Sequence, residues 1–600
     1  MLKNIFITIL LICSVSGVWG QKSVKVKVSG NVITTDGVPA EFINIQLKNT
    51  FYGGTSDGKG YFEFMAPAGQ YTMIVQSIAA HRREFPVTIE EGKENHFADI
   101  EIRENINQLE QVVVTGQFSP QSMRNSLYKV RTVNSEQIRQ KAPTSVQSLL
   151  NTEIGIRLSN DMALGETDFE LMGMSGNNVK ILLDGIPLID RGATKQSLSQ
   201  LDVNSIERVE IVEGPMSVVY GTDALAGVIN IITKKGDGYS EENTWRVGAR
   251  VQEESMGKEY DFFKDKGLHN ESIDLGFNHK SGLFVNGGYT RNNHGGWQGD
   301  LTGREKRWHP KDQALMNGMF GFQNRNMNVW YRLDFLDEKI FGPNNGSELQ
   351  PEKVSDKDFL TKRYTHQLQS DWKLDNRLDV HAALSYQDYK RRTRTTESDL
   401  STGEKWLSSA EASQDITQYK AWIARATVAW NIAPEFSVQP GVEYQWTQGE
   451  GGRIDGTPKV SDLAFFLSAE YKPWEWLSLR PGVRTFIVAD YDAPIAIPSV
   501  LTKFKLTKHM DLRLSYAYGF RSPTLQELYF SFHNDNHDID GNPDLKAEYS
   551  HNITGSVAYR VLHSEKIHLT TTLSGFYNDF RDKISLAQNV DIPNYNTYYN

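Results

Sequence analysis

The chain of 600 residues contains one cysteine, Cys13, and it lies within the first twenty residues. Beyond that segment disulfides, thiolate metal sites and cysteine nucleophiles are excluded. Long apolar runs are missing too. After residue 20 no stretch approaches the ~18–20 apolar residues of a membrane helix. That excludes a spanning helix but not a spanning strand. Barrel strands carry apolar residues at alternate positions and hardly raise the mean hydropathy, which is −0.48. No GxSxG, HExxH or Walker loop occurs, so no enzyme is expected. Charge is mildly acidic, at net −10, and nucleic acid is not an expected partner.

Glycine is plentiful, at 48 residues, and aromatics make up 11%. Lys3, the apolar run Ile5 to Ile12 and the small residue Gly20 read as a secretory signal over 1–20, cleaved after Gly20. Leu11-Ile12 lacks the small residue expected directly before a lipoprotein cysteine. Residues 21–103 carry short runs such as Asn44 to Leu47, Tyr61 to Phe64 and Tyr71 to Val75, separated by Asp57-Gly58-Lys59-Gly60 and Pro67-Ala68-Gly69. Short strands between turn signals predict a small β-sandwich. His81 and Glu84 have the HxxE spacing of a zinc peptidase, but two ligands cannot close such a site.

Residues 118–236 read as an α/β unit. Ser135-Glu136-Gln137-Ile138 opens a helix with Ser135 as candidate N-cap, and Val146, Leu149 and Leu150 have helical spacing. Val209, Ile211 and Val212, then Val228, Ile229, Ile231 and Ile232, are buried-strand runs. From 237 to 600 the period becomes two. Leu512, Leu514, Tyr516, Tyr518 and Phe520 share one face, as do Leu378, Val380, Ala382, Leu384 and Tyr386, and Leu463, Phe465, Leu467, Ala469 and Tyr471. Apolar-out, polar-in segments of about ten residues are the signature of a transmembrane barrel. The polar stretches Arg291 to Lys311, Asp337 to Lys362 and Arg391 to Gln418 are expected as extracellular loops.

LLDGIPL at Leu182 to Leu188 and IERVEIVEGPMSVVYGTDALAGVINIITKK at Ile206 to Lys235 resemble the plug of TonB-dependent outer-membrane receptors. GNVITTDGVPAEFINIQL with GTSDGKGYFEF resembles the carboxypeptidase-regulatory-like domain that precedes such plugs. The resemblance implies a mainly β fold in which a sandwich is followed by a plug inside a large antiparallel barrel. It also implies a Gram-negative outer-membrane location. Residues 104–117 form a linker, in which Glu110, Gln111, Val112, Val113, Val114, Thr115 and Gly116 resemble the TonB box. An extended β-branched segment can add to a partner's sheet, here that of a TonB-type energy-transducing complex. Family barrels have about 22 strands, whereas residues 237–600 hold roughly 17 to 19. Missing C-terminal strands are therefore expected.

FRSP at Phe520 to Pro523 and NPDL at Asn542 to Leu545 resemble paired motifs of haem receptors in this family, with a haem-binding histidine between them. His533 and His537 are the candidates, and neutral imidazole suits haem iron. The same motifs occur in siderophore receptors. The plug has no histidine, since none lies between His96 and His269, leaving Met162, Met172, Met174 and Tyr220 as possible plug-side ligands. The expected function is energised uptake of a scarce ligand, haem or a ferric siderophore. No catalytic cofactor is expected, nor any metal beyond haem iron. Outer-membrane lipid and a surface lipoprotein are candidate partners. The alternative is a non-transporting adhesin or surface-binding barrel, which would need no box.

Overall fold

The structure is a computed structural model. It describes all residues except 1–24, 35–38, 41–42, 58, 78–79, 103–111, 124, 162–165, 190–195, 237–241, 376, 411, 452, 508, 535–536, 564–567 and 589–594. The signal segment, Glu110, Gln111 and Met162 therefore lie outside the described residues. The chain divides into two compact units, 1–109 and 110–600.

The first unit stacks two sheets. One orders Tyr61–Pro67, Lys25–Thr34 and Asn95–Ile102, and the other Gly53–Thr55, Asn44–Leu47, Gly69–Ser77 and Ala80–Ile89. Inward residues of both sheets, among them Val28, Val32, Ile45, Leu47, Phe62 and Met73, form one core. The side chain of His81 lies outside the described set, while Glu84 pairs with Lys48 at 3.0 Å.

The second unit has an inner α/β layer and a surrounding wall. The inner sheet orders Lys129–Asn134, Ile206–Glu213, Gly227–Thr233, Val179–Leu183 and Ile186–Pro187. All seven residues of Gly227–Thr233 are buried, which explains why β-branched residues fill it on both faces, interrupted only by Asn230, whose side chain is hydrogen-bonded to Thr115. Gly227 is required, because a Cβ there would stand 2.1 Å from the Val212 carbonyl oxygen. The first helix is Ser135–Lys141, and its N-cap is Asn134 rather than Ser135. Asn134 Oδ1 accepts from the Gln137 amide at 2.9 Å and Gln137 Oε1 accepts from the Asn134 amide at 3.0 Å. This capping box fixes the helix start one residue earlier than the Ser-Glu pair suggested.

Among the described residues the wall is one sixteen-stranded sheet. Fifteen strands follow chain order from Thr244–Glu254 to His568–Arg581, and Lys405–Leu407 pairs with Leu378–Asp399 off this path. Short turns such as 279–282, 324–326 and 475–476 join one rim and long connections the other. In barrels of this type the short turns are periplasmic and the long ones extracellular.

Alternation is clear in Lys353–Lys373, where Tyr364, Leu368 and Trp372 are 41–46% exposed while Thr365, Gln367 and Gln369 between them are buried. Phe335 and Tyr364 stack across strands at 4.8 Å, and Tyr386 and Trp422 at 4.7 Å. Two sequence expectations need correction. Much of the polar stretches 337–362 and 391–418 is strand, since Met327–Gly342, Lys353–Lys373 and Leu378–Asp399 run on past the apolar band. Burial still alternates there, with Leu336, Glu338 and Ile340 buried and Asp337 and Lys339 exposed, but the exposed face is charged rather than apolar, which removes the mark of a lipid-facing strand in sequence. Phe520 also leaves the apolar outer row. It is fully buried with Phe466, Ile497 and Val218, its ring centroid 5.2 Å from that of Phe486.

The outward row should behave as a lipid-facing surface. Leu384→Arg is expected to cost about 2–4 kcal/mol of folding stability in lipid vesicles, read as a lower urea midpoint of the heat-modifiable gel band. Leu384→Phe should stay within about 1.5 kcal/mol of the parent. Equal midpoints for the Arg and Phe variants would contradict the assigned face.

Candidate functional site

The box segment meets the inner domain near the rim of short turns. Val112–Val113 pairs antiparallel with Gln121–Ser122. Beyond it the backbone turns into the protein, and Val113, Thr115 and Gly116 are buried. The carboxylate of Glu210, wholly buried, accepts from the amides of Val114 at 3.0 Å and Thr115 at 2.8 Å and from the Thr115 hydroxyl at 2.6 Å. Arg208 donates to the same carboxylate at 2.8 Å. Burying a carboxylate is costly unless it is paired in this way. Asn230 donates to Thr115 Oγ1 at 2.9 Å, and the Gly116 amide donates to the Tyr220 hydroxyl at 3.1 Å. From the wall, Arg480 donates to the Gly116 carbonyl and pairs with Glu470. Its guanidinium lies 4.5 Å over the Phe118 ring.

The sequence marks Glu110 to Gly116 as the segment, of which Val112 to Gly116 are among the described residues, but not its partners. Glu210 reads there as one acid in an amphipathic strand. The available signal was an acid at a position that the flanking Val209 and Ile211 mark as buried on both faces. Arg480 and Tyr220 join the segment only through tertiary structure.

At the opposite end lies a cavity of about 150 Å³. The inner domain contributes Asn177, Ile189, Thr222 and Asp223, and the wall and its long connection contribute Tyr419, Tyr491 and Ser522. The Ser522 amide donates to Thr222 Oγ1 at 2.8 Å, and the Asp223 amide reaches the Phe520 carbonyl at 3.3 Å. Lys180, buried beneath, donates to the Thr222 carbonyl at 3.0 Å, and burial lowers its pKa. Burial likewise holds the Tyr491 phenol well above its ordinary range. Farther along the inner wall the guanidinium groups of Arg363 and Arg391 lie 5.1 Å and 4.7 Å over the Tyr389 and Phe359 rings. Arg521, Ser522 and Pro523 of FRSP line this cavity. Arg521 is buried in ion pairs with Glu527 and Glu548, and Thr524 caps the short helix Leu525–Tyr529.

His533 lies on the hairpin Ser531–Asn534 and His537–Asp540, beyond the cavity. Its ring nitrogens contact Asp538 at 2.5 Å and Asp540 at 3.1 Å. The side chain of His537 lies outside the described residues. Among the plug-side candidates, Met174 is buried in the inner core with Met172 packed against it, and the Tyr220 hydroxyl is engaged by Gly116.

Two outcomes are expected. The hydrogen bond to Asp538 is the first cause raising the His533 pKa above its ordinary 6.5, and desolvation only partly opposes it. Any hairpin stabilisation from this pair is therefore full below pH about 6.5 and lost as pH rises through the raised folded value. The His533 imidazole NMR titration should have a midpoint above 6.5 that falls in Asp538→Asn, and an unchanged midpoint would contradict the pairing. At Gly116 the φ is +69° and an added Cβ would stand 2.4 Å from Met216 Cε and 3.0 Å from the Tyr128 ring. Gly116→Ala should therefore cost the docked segment about 1–2 kcal/mol and speed proteolysis of 103–117 severalfold. Parent-like proteolysis would contradict the docking.

Three family models match the chain, leaving 229–438 between the second and the last in chain order. The family model "TonB-dependent Receptor Plug Domain" matches 122–228, "TonB dependent receptor-like, beta-barrel" matches 439–600, and "CarboxypepD_reg-like domain" matches 28–114. An iron-regulated outer membrane virulence protein of Vibrio cholerae serotype O1 is 25% identical over 508 residues, covering 79% of this chain and 69% of that protein. The vitamin B12 transporter BtuB of Vibrio vulnificus is 32% identical over 139 residues, 23% of each chain. Among solved structures, the ferric enterobactin receptor of Pseudomonas aeruginosa superposes with a TM-score of 0.59 at 17% identity, covering 79% of this chain and 74% of that one. The siderophore receptor PirA of Pseudomonas aeruginosa gives 0.60 at 16% identity, covering 78% and 79%. These likenesses agree on the fold, and the family is one of receptors rather than enzymes. With its regulatory-like domain, its plug and the surrounding antiparallel wall, the chain belongs to the TonB-dependent receptors of the bacterial outer membrane.

Proposed function

We propose that this receptor imports a ferric siderophore, using energy delivered through residues 110–116. The observation that carries this reading is the docked state of Val114 to Gly116, held by Glu210, Tyr220 and Arg480. A segment stored in this way is suited to release, after which its free backbone edge can pair with an energy-transducing partner. The outer membrane has no energy source of its own, so uphill import requires such a handle. An adhesin would not.

Two features favour a siderophore over haem. The relative similar over most of the chain is named as iron-regulated, and two structural neighbours as a ferric enterobactin receptor and a siderophore receptor. Both His533 nitrogens lie against carboxylates, and the raised pKa favours the imidazolium, which cannot ligate iron.

Cells carrying the receptor should accumulate radioactive iron supplied as ferric enterobactin, and deletion of 110–116 should abolish uptake while leaving surface binding within about twofold. Parent-level uptake by the deletion strain would remove the energy-coupling assignment. Purified protein should leave the hemin Soret band unchanged. A Soret shift lost in the His533→Ala, His537→Ala protein would instead identify haem as the cargo.

A further inference from the structure

The docked segment and the extracellular-side cavity are joined by a very short stretch of chain. Tyr220 ends the helix Ser217–Tyr220, and its hydroxyl accepts from the Gly116 amide at 3.1 Å. Two residues later, Thr222 and Asp223 line the cavity. Gly221 between them has φ +73°, and a Cβ there would stand 3.0 Å from Arg484. The turn is therefore closely held on its wall side.

Both ends are tied to the wall. The Tyr220 ring lies 5.1 Å beneath the Arg425 guanidinium, which pairs with Glu443. Arg484 pairs with the same carboxylate at 2.8 Å. At the cavity end the Thr222 hydroxyl meets the Ser522 amide and hydroxyl at 2.8 and 3.0 Å, and the Lys180 ammonium holds the Thr222 carbonyl at 3.0 Å. A ligand that seats in the cavity competes for Thr222, Asp223 and Ser522. Movement of Thr222 is transmitted through one residue to the Tyr220 ring. The hydrogen bond at the far end of that ring is one of the few that hold the box segment.

We propose that Tyr220 is the positioning residue through which occupancy of the cavity reaches the energy-coupling segment, its hydroxyl latching Gly116 while the cavity is empty. This inference rests on the reading of residues 110–116 as the coupling segment. Tyr220 touches no cargo in this arrangement and acts only through the segment it holds. Other ties to the segment, at Glu210 and Asn230, lie on neighbouring strands of the inner sheet and have no covalent path this short to the cavity.

The test uses the full chain with Cys13→Ser and a single reporter thiol, introduced at the fully buried Val113 by Val113→Cys and labelled by maleimide in detergent or in outer-membrane vesicles. Tyr220→Phe keeps the ring beneath Arg425 and removes only the hydroxyl. It should raise the labelling rate of the ligand-free protein about tenfold, equivalent to about 1.4 kcal/mol. Ferric enterobactin, where it binds the parent, should then add little further. Thr222→Val, which cuts the other end of the same turn, should also raise the rate. The double variant should fall short of the product of the two single effects. A second reporter thiol, introduced by Ile181→Cys in the inner core, should stay unlabelled in each background.

Parent-like labelling at position 113 in both Tyr220→Phe and Thr222→Val would overturn the proposal. So would labelling of the core reporter in parallel, which signals general loosening, or strictly multiplicative effects in the double variant. The two levels of the account fail separately. If deletion of 110–116 leaves uptake intact while Tyr220→Phe still exposes position 113, the coupling role falls and the latch stands. If the deletion abolishes uptake and Tyr220→Phe changes nothing, the latch falls and the coupling role stands.

Discussion

The Glu210 carboxylate is the interaction on which the docked state depends. It is fully buried, so its charge needs donors, and the box segment supplies three of them. The dependence is mutual. Without Glu210 the amides of Val114 and Thr115 would be buried without these acceptors, at about 1–3 kcal/mol each. Yet every one of these bonds is polar, and water can replace each of them once the segment leaves. The segment is thus held firmly but not packed irreversibly, as a part that must later be withdrawn requires.

The same principle governs the seating of the inner domain against the wall. Wall amides cap its exposed carbonyls. Gln369 donates to Asp184, Gln387 to Pro187 and Gln313 to Ser199, at 2.7–2.9 Å. Asp202 accepts from Thr290 at 2.9 Å, and Gln200 donates to Glu338 at 2.8 Å. A polar, hydrogen-bonded interface is satisfied when closed and costs little when hydrated, whereas an apolar one would resist opening. The wall's inner face is polar for this reason, and its outer face is apolar because it meets lipid. One alternating pattern serves both demands.

That pattern made the wall legible in the sequence, down to individual rows such as Leu463 to Tyr471. The plug was legible from its β-branched runs and from glycines such as Gly227, where any side chain would strike backbone. The protruding strand ends were not legible, because their exposed face is charged, as at Asp337 and Lys339, and their buried face mixes polar with apolar residues, as at Glu338 and Ile340. Asn134 was passed over as a cap because Ser-Glu offered a similar local signal one residue later. In the functional region, Val112 to Gly116 stood out as an extended segment between two domains. Its partners could not, since Glu210, Tyr220 and Arg480 lie about 95 to 364 positions away and meet it only through the fold. The histidine pair was conspicuous by residue type, yet in His533 it is the neighbouring Asp538 and Asp540 that govern the ring.

The central claim is that cargo at the extracellular side loosens a segment on the periplasmic side. Hydrogen exchange at the Val114, Thr115 and Gly116 amides reads that segment directly, since Glu210 and Tyr220 protect those three groups. The account predicts slow exchange in the empty receptor and an acceleration of about tenfold or more when ferric enterobactin is bound, with amides of Gly227–Thr233 unchanged. Equal exchange at the three amides with bound and absent chelate would contradict it.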